Sequence, residues 1–318
     1  MKASVIGCGR WGSFIAWYLH RIGHEVTLYG RAGSAHMQRL IAHRSNGLVR
    51  FEDTVCLTCD LARALEGEIV CISISSQGLA GLMEQIASLG VRGKTFVLCM
   101  KGIEMGTGRR LSQIAQEAVG ASNDIAVWLG PGHVQEFLAG VPNCMVLDSE
   151  KEATKERLVE ALSGDLIRFY YGTDLIGNEV GAAAKNVIGI AAGMLDGKGL
   201  SSLKGALMSR GTREVARLIR AMGGHEMSAY GLCHLGDYEA TVFSAYSHNR
   251  RFGEAFVRKE TYNELAEGYY TVEALCMLAD QKDVEMPICR AVHALLYEGA
   301  DADEEISRLF TRSLKREF

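Results

Sequence analysis

Up to residue 171 the apolar positions fall in short runs, at 2–6, 25–29, 68–74, 94–100, 125–129, 143–148 and 166–171, separated by stretches with helical periodicity. Runs of this length, alternating with helical segments, predict a mostly parallel sheet covered by helices on both faces. The last pair, 143–148 and 166–171, is expected at the edge of that sheet. From 174 onward the period changes. Apolar residues then recur at helical spacing through 174–195, 204–222, 228–246, 248–258, 269–281, 286–297 and 302–315, with no further strand. The switch sets a domain boundary: residues 1–172 form an α/β domain and residues 173–318 an all-α domain. The helical part is expected to carry the substrate side of a ligand site.

One stretch of the helical part stands out. Residues 174–196 are apolar around most of the helix, with small residues at 181–184, yet carry Lys185 near the middle. A buried ammonium is costly unless it is paired or used. Asn178, Lys185 and Asp196 fall close to one line on helical spacing, so a polar stripe runs along an otherwise apolar helix. Taken alone, Lys185 reads more readily as a snorkelling side chain on a half-exposed face.

The first strand runs directly into Gly7-Cys8-Gly9-Arg10-Trp11-Gly12 and a helical pattern. In that context the G-x-G-x-x-G spacing predicts dinucleotide binding. Gly7 makes the tight turn, Gly9 lets the pyrophosphate approach, Gly12 lets the helix lie on the strand, and the helix N-terminus takes the anion. The second strand ends in Tyr29-Gly30-Arg31 and lacks the carboxylate that would select NAD; Arg31 with Ser34 suits a 2′-phosphate, so NADP or NAD is the expected cofactor. Lys101 follows the carboxyl end of a strand, where ligands bind in such sheets. His133, in the Gly130-Pro131-Gly132-His133 turn, is expected to be a structural or exposed histidine and not a catalyst.

Composition adds limits. The chain has 318 residues, 48% hydrophobic and 23% charged, with a net charge of -4, which favours neither nucleic acid nor an anionic membrane surface. No apolar run reaches the ~20 residues that span a bilayer, so a soluble cytoplasmic protein is expected. Nine cysteines in mostly apolar segments read as free thiols of a reducing compartment, and Cys56 with Cys59 does not make a metal site, since positions three apart on a strand face opposite ways. Three prolines against 36 glycines predict long helices with close backbone approaches.

Several segments together resemble a known family. Gly177-Asn178-Glu179, Lys185-Asn186-Val187-Ile188, Ser209-Arg210-Gly211, Leu235-Gly236-Asp237, Asn249-Arg250-Arg251-Phe252-Gly253 and Glu285-Met286-Pro287-Ile288 are similar, in the same order, to the NAD(P)-dependent glycerol-3-phosphate dehydrogenases. The resemblance implies a Rossmann domain followed by a helical domain. It also implies hydride transfer between NAD(P)H and dihydroxyacetone phosphate, a homodimer, and a role in phospholipid precursor supply. Carried onto this chain, it implies Lys185, Lys101 and Asp237 as catalytic residues and Gly7, Gly9, Arg10, Trp11, Gly12, Arg31, Lys101 and Glu267 as dinucleotide contacts. Lys101, Gly130, Thr241, His248, Asn249 and Arg250 fall to the substrate.

The chain also departs from the family pattern. His248 stands where the family has arginine, and Leu129-Gly130-Pro131-Gly132-His133-Val134 replaces a hydroxyl-bearing turn. Tyr238 and Val242 follow Leu235-Gly236-Asp237 at unusual identities, and the stretch from Asp196 to Arg210 is about one residue short. These changes keep open a related dehydrogenase acting on another keto or hydroxy acid, as in ketopantoate reductases or β-hydroxyacid dehydrogenases. A non-catalytic dinucleotide-binding relative is a third reading, against which the retained Lys101, Lys185, Asp237 and Asn249 argue.

Overall fold

A computed structural model of the chain describes residues 1–313. It divides into two compact units, one made of Met1–Lys101 with Arg109–Glu179, the other of Gly102–Gly108 with the chain from Val180 on.

The first unit is built on one eight-stranded sheet: β1 Lys2–Ile6, β2 Glu25–Tyr29, β3 Cys56–Thr58, β4 Ile69–Ile72, β5 Thr95–Leu98, β6 Asp124–Leu129, β7 Asn143–Ser149 and β8 Ile167–Tyr171. The order is β3-β2-β1-β4-β5-β6-β7-β8. All neighbours are parallel except β6 with β7, so the expected mostly parallel, doubly wound sheet is present, and β7 and β8 lie at its edge. Central β4 and β5 are buried throughout, as strands covered on both faces must be. They are shorter than the apolar runs at 68–74 and 94–100, whose ends leave the ladder. The aromatic side chains Phe14, Tyr18, Trp128, Phe137 and Phe169 are packed in the core of this unit. Strand order reverses between β1 and β4, and there the carboxyl ends open: Gly7 N–H donates to Tyr29 O at 3.0 Å and Ser73 N–H to Ile6 O at 2.8 Å. Cys56 is half-buried and Cys59 exposed.

The second unit is helical. Leu175–Gly197 begins in the first unit and runs on into this one, followed by Lys204–Ala221, His248–Val257, Glu267–Gln281, Pro287–Tyr297 and Ala302–Phe310. Two expectations fail. The single helix expected over 228–246 is instead 3₁₀ turns at Glu226–Tyr230 and Leu235–Asp237 and a π turn at Glu239–Phe243. Gly231 and Gly236 interrupt the segment, and the Gly231 carbonyl takes N–H bonds from His234 and Gly236, which closes a turn instead of a helix. The last helix stops at Phe310 and not at 315, two residues of the expected span lying outside the described residues.

Glu214, on the Lys204–Ala221 helix, is buried and accepts backbone N–H bonds from Ile288 and Cys289, both at 2.9 Å, at the start of the Pro287–Tyr297 helix. Burial pushes its pKa up from 4.5 to about 7, outweighing the two N–H donors that lower it. The folded protein therefore holds this proton more tightly than the unfolded chain. The stability it contributes is full below pH 4.5 and is lost as pH rises through about 7. Glu214→Gln, which cannot ionise, is expected to flatten the decline of Tm between about pH 5 and about pH 8. A slope equal to that of the unchanged protein would place the titration elsewhere.

Candidate active site

In the first unit the glycine turn is fixed by contacts only glycine permits. Gly7 has φ +116°, and a Cβ there would lie 2.0 Å from Ser73 O; a Cβ on Gly12 would lie 2.0 Å from Gly7 O. Gly9 differs from both, because a Cβ there would meet nothing within 4 Å. Gly7 and Gly12 are thus held by packing, whereas Gly9 leaves a bare backbone facing open space, which is what close approach of a pyrophosphate needs. The Arg10–Arg21 helix starts at Gly9 with no side-chain cap and no acid in its first turn, so its positive end is left for an anion. These residues fit a dinucleotide. Trp11 is half-buried with its ring centroid 5.2 Å from that of Phe14, and Arg10 is half-exposed beside it.

Arg31 is exposed just past β2, and its carbonyl accepts the Ser34 N–H at 2.9 Å. Burial pushes the nearby Cys8 thiol up, the Ser34 hydroxyl at 3.7 Å and, more weakly, the Arg31 charge pulling the other way. Arg31, Ser34 and the glycine turn therefore share one end of the sheet. So do Lys101 and Gly130: the Lys101 ammonium donates to the Gly130 carbonyl at 2.7 Å, which ties the chain after β5 to the chain after β6.

In the second unit, Lys185 is buried on the long helix. Its ammonium lies 2.8 Å from Asp237 Oδ2 and donates to Thr241 Oγ1 at 2.7 Å, and all three residues are under 10% exposed. The polar stripe is satisfied at each point. Asn178 donates to Asp148 Oδ2 at 2.7 Å, within the first unit, and Asp196 accepts from Lys204 at 2.6 Å and Arg250 at 2.7 Å. Lys185 is the member of the stripe held by a carboxylate and a hydroxyl from an irregular segment.

Asn249 spans between helices, donating to Asn186 Oδ1 at 3.0 Å and accepting the Gly268 N–H at 2.9 Å. That bridge brings Glu267, half-buried at the start of its helix, to the turn that follows Lys185. His248 lies against Glu264 Oε2 at 2.5 Å, with the Tyr262 hydroxyl and an Arg251 nitrogen each 3.1 Å from Nδ1. Arg250 is placed differently from the expected anion contact. Its guanidinium is matched by Asp196 at 2.7 Å and Glu254 at 3.1 Å and donates to Ser244 O, so its charge serves the helical unit itself.

Sequence reasoning missed two features. Glu179 is fully buried, paired with Arg110 and bonded to the Ser112 N–H at 2.8 Å and hydroxyl at 2.6 Å, so it anchors the start of the long helix within the first unit. Its place in the Gly177-Asn178-Glu179 run gave no sign of its partner, since Arg110 is far away in sequence. His234 and Tyr238 form a buried hydrogen-bonded pair next to Asp237, and only the unusual Tyr238 pointed there.

A doubly wound sheet with a glycine-turn dinucleotide site, followed by a helical unit that buries a lysine on an aspartate, defines an NAD(P)-dependent dehydrogenase. The chain belongs to the NAD-dependent glycerol-3-phosphate dehydrogenase family, whose N-terminal model matches residues 2–155 and whose C-terminal model matches residues 174–307. It is 35% identical to the glycerol-3-phosphate dehydrogenase [NAD(P)+] of Chlorobium limicola, over 100% of this chain and 99% of that protein. The enzyme of the same description from Bradyrhizobium strain BTAi1 is 37% identical over 99% and 98%. Among solved structures, glycerol-3-phosphate dehydrogenase from Coxiella burnetii superposes with a TM-score of 0.90 at 29% identity, covering 98% of this chain and 99% of that one. Among the described residues no helix is long and apolar enough to cross a membrane.

Proposed function

We propose that this protein reduces dihydroxyacetone phosphate to sn-glycerol 3-phosphate with NAD(P)H, and that Lys185 is the proton donor. The observation that carries the assignment is the buried Lys185 ammonium seated on Asp237 at 2.8 Å and Thr241 at 2.7 Å. The nicotinamide, when bound, supplies the hydride. As negative charge grows on the carbonyl oxygen, the Lys185 ammonium stabilises it and gives up a proton to form the alcohol. Asp237 holds and orients the ammonium through a short ion pair. Lys101, fixed on the Gly130 carbonyl, adds a second positive charge that favours the substrate phosphate. Thr241, His248 and Asn249 complete the substrate side; Arg250 is assigned to holding the helical unit together. In the dinucleotide site, Gly7 and Gly12 shape the turn on which Gly9, Arg10 and Trp11 take the pyrophosphate, and Glu267 stays with the cofactor. We also read the protein as a cytoplasmic homodimer in phospholipid precursor supply, a reading that rests on its family.

Following NADH and NADPH oxidation with dihydroxyacetone phosphate tests the proposal. Absence of turnover in folded, dinucleotide-bound protein would overturn it, and turnover of another small ketone in the same assay would identify the related reading instead. Arg31→Glu is expected to lower kcat/KM for NADPH about 30-fold relative to NADH, because a charge-assisted bond to the 2′-phosphate contributes about 2 kcal/mol and the carboxylate repels it. An unchanged ratio would put Arg31 outside the 2′-phosphate site.

A further inference from the structure

Asp237 and Thr241 lie in a segment with little regular structure of its own, two 3₁₀ turns followed by a π turn between Glu226 and Phe243. Turns of these kinds are short and have few hydrogen bonds of their own. Contacts to other elements therefore help set where the carboxylate and the hydroxyl meet Lys185, among them the Lys204 ammonium on the Val242 carbonyl at 3.1 Å.

A buried pair beside them makes a further such contact. His234 Nδ1 is 2.8 Å from the Gly181 carbonyl, which can only accept, so Nδ1 carries the proton and donates. Nε2 is then an acceptor, and the Tyr238 hydroxyl donates to it at 2.7 Å. The two rings meet edge-on with centroids 4.9 Å apart, and the Tyr238 oxygen lies 3.3 Å from Thr212 Oγ1 on the Lys204–Ala221 helix. His234 precedes Asp237 by one 3₁₀ turn, and Tyr238 follows it directly. Gly181 is the residue whose carbonyl also receives the Lys185 backbone N–H in an α-helix. The bond from His234 therefore lands on the turn that carries Lys185. Glycine at 181 permits this, since a Cβ there would already lie 3.1 Å from His234 Cβ.

We propose that His234 and Tyr238 are positioning residues, a neutral clamp that fixes Asp237 and Thr241 against Lys185 and so aims the proton donor. The inference rests on the reading of Lys185 as that donor. Burial pushes the His234 pKa down to about 4, with the Lys185 ammonium adding to the effect, so the imidazole stays neutral and does not compete for Asp237. Burial also pushes the Tyr238 phenol well up, keeping its proton in the bond to Nε2.

Tyr238→Phe keeps the ring and removes the O–H. It is expected to lower kcat about tenfold while leaving KM for dihydroxyacetone phosphate and the Kd for NADH within about twofold, the split expected when geometry for the chemical step is lost and ground-state binding is kept. The solvent deuterium isotope effect on kcat should rise, because proton transfer from a misaimed ammonium becomes the slower step. His234→Asn retains an N–H for Gly181 but offers no equivalent acceptor to Tyr238. It should lose a similar factor, and the double variant little more, since the two side chains act as one unit. A pair that only supports the fold would lower Tm but leave the isotope effect unmoved. A kcat within about twofold and an unchanged isotope effect in folded Tyr238→Phe, or in His234→Asn should the first variant not fold, would overturn the clamp. Lys185→Met assayed alongside separates the two readings. Turnover retained there sinks the proton donor, whereas a dead Lys185→Met beside an unmoved isotope effect in Tyr238→Phe sinks the clamp alone.

Discussion

Lys185→Met is expected to lower turnover by about a thousandfold, the scale on which a positioned proton donor and a charge stabiliser contribute. Dinucleotide binding should stay within about twofold, because the glycine turn, the uncapped start of the Arg10–Arg21 helix and Arg31 are unchanged by the substitution. Methionine fills much of the volume of the lysine stem but takes the Lys185 ammonium away from Asp237, which is 1% exposed. Stranding one member of a buried ion pair costs about 3–5 kcal/mol. Lost turnover in the single variant is therefore open to a second explanation, instability. Lys185→Met combined with Asp237→Asn removes the stranded charge and should regain most of the lost Tm while remaining inactive. Recovery of stability without recovery of rate assigns the loss to chemistry. A single variant that keeps most of its rate would place the proton donor elsewhere.

The sheet and the glycine turn were legible because each depends on local pattern. β1 and β2 match the apolar runs residue for residue, and Gly7 and Gly12 occupy positions where a Cβ would strike backbone. The long helix was legible for the same reason. What failed was 228–246, where periodicity suggested a helix and the chain makes turns. Its conformation is set by contacts to other elements, among them His234 on Gly181 and Lys185 on Asp237 and Thr241. No window of sequence contains both partners of those contacts. The ion pairing of Arg250 was out of reach for the same reason. Its partner Asp196 sits 54 residues away, and only the helix crossing brings the two together. Local pattern thus singled out the candidate groups, and tertiary contacts decided which of them are already matched.

That crossing gives the second large effect, in stability. A Cβ on Gly253 would lie 2.1 Å from the Ile190 carbonyl oxygen, and one on Gly193 would lie 1.9 Å from the Arg250 carbonyl oxygen. The helices Leu175–Gly197 and His248–Val257 therefore touch backbone to backbone at two reciprocal points. Neither obstruction is a side chain that can turn away. Gly253→Ala gains about 1 kcal/mol of helix propensity, yet must push the helices apart, and overpacking of this kind costs about 3 kcal/mol or more. A net loss of about 2 kcal/mol, or a Tm drop of roughly 4–8 °C, is expected. Activity should fall with it, because the Asn249 bridge to Asn186, at 3.0 Å, joins the same two helices one residue from Lys185. Gly205 provides the opposite sign. It is exposed near the start of the Lys204–Ala221 helix with nothing within 4 Å of its Cβ position, so Gly205→Ala should raise Tm through propensity alone. If Gly253→Ala also raised Tm, the helices would not be in backbone contact, and the seat of Arg250 on Asp196 would need another cause.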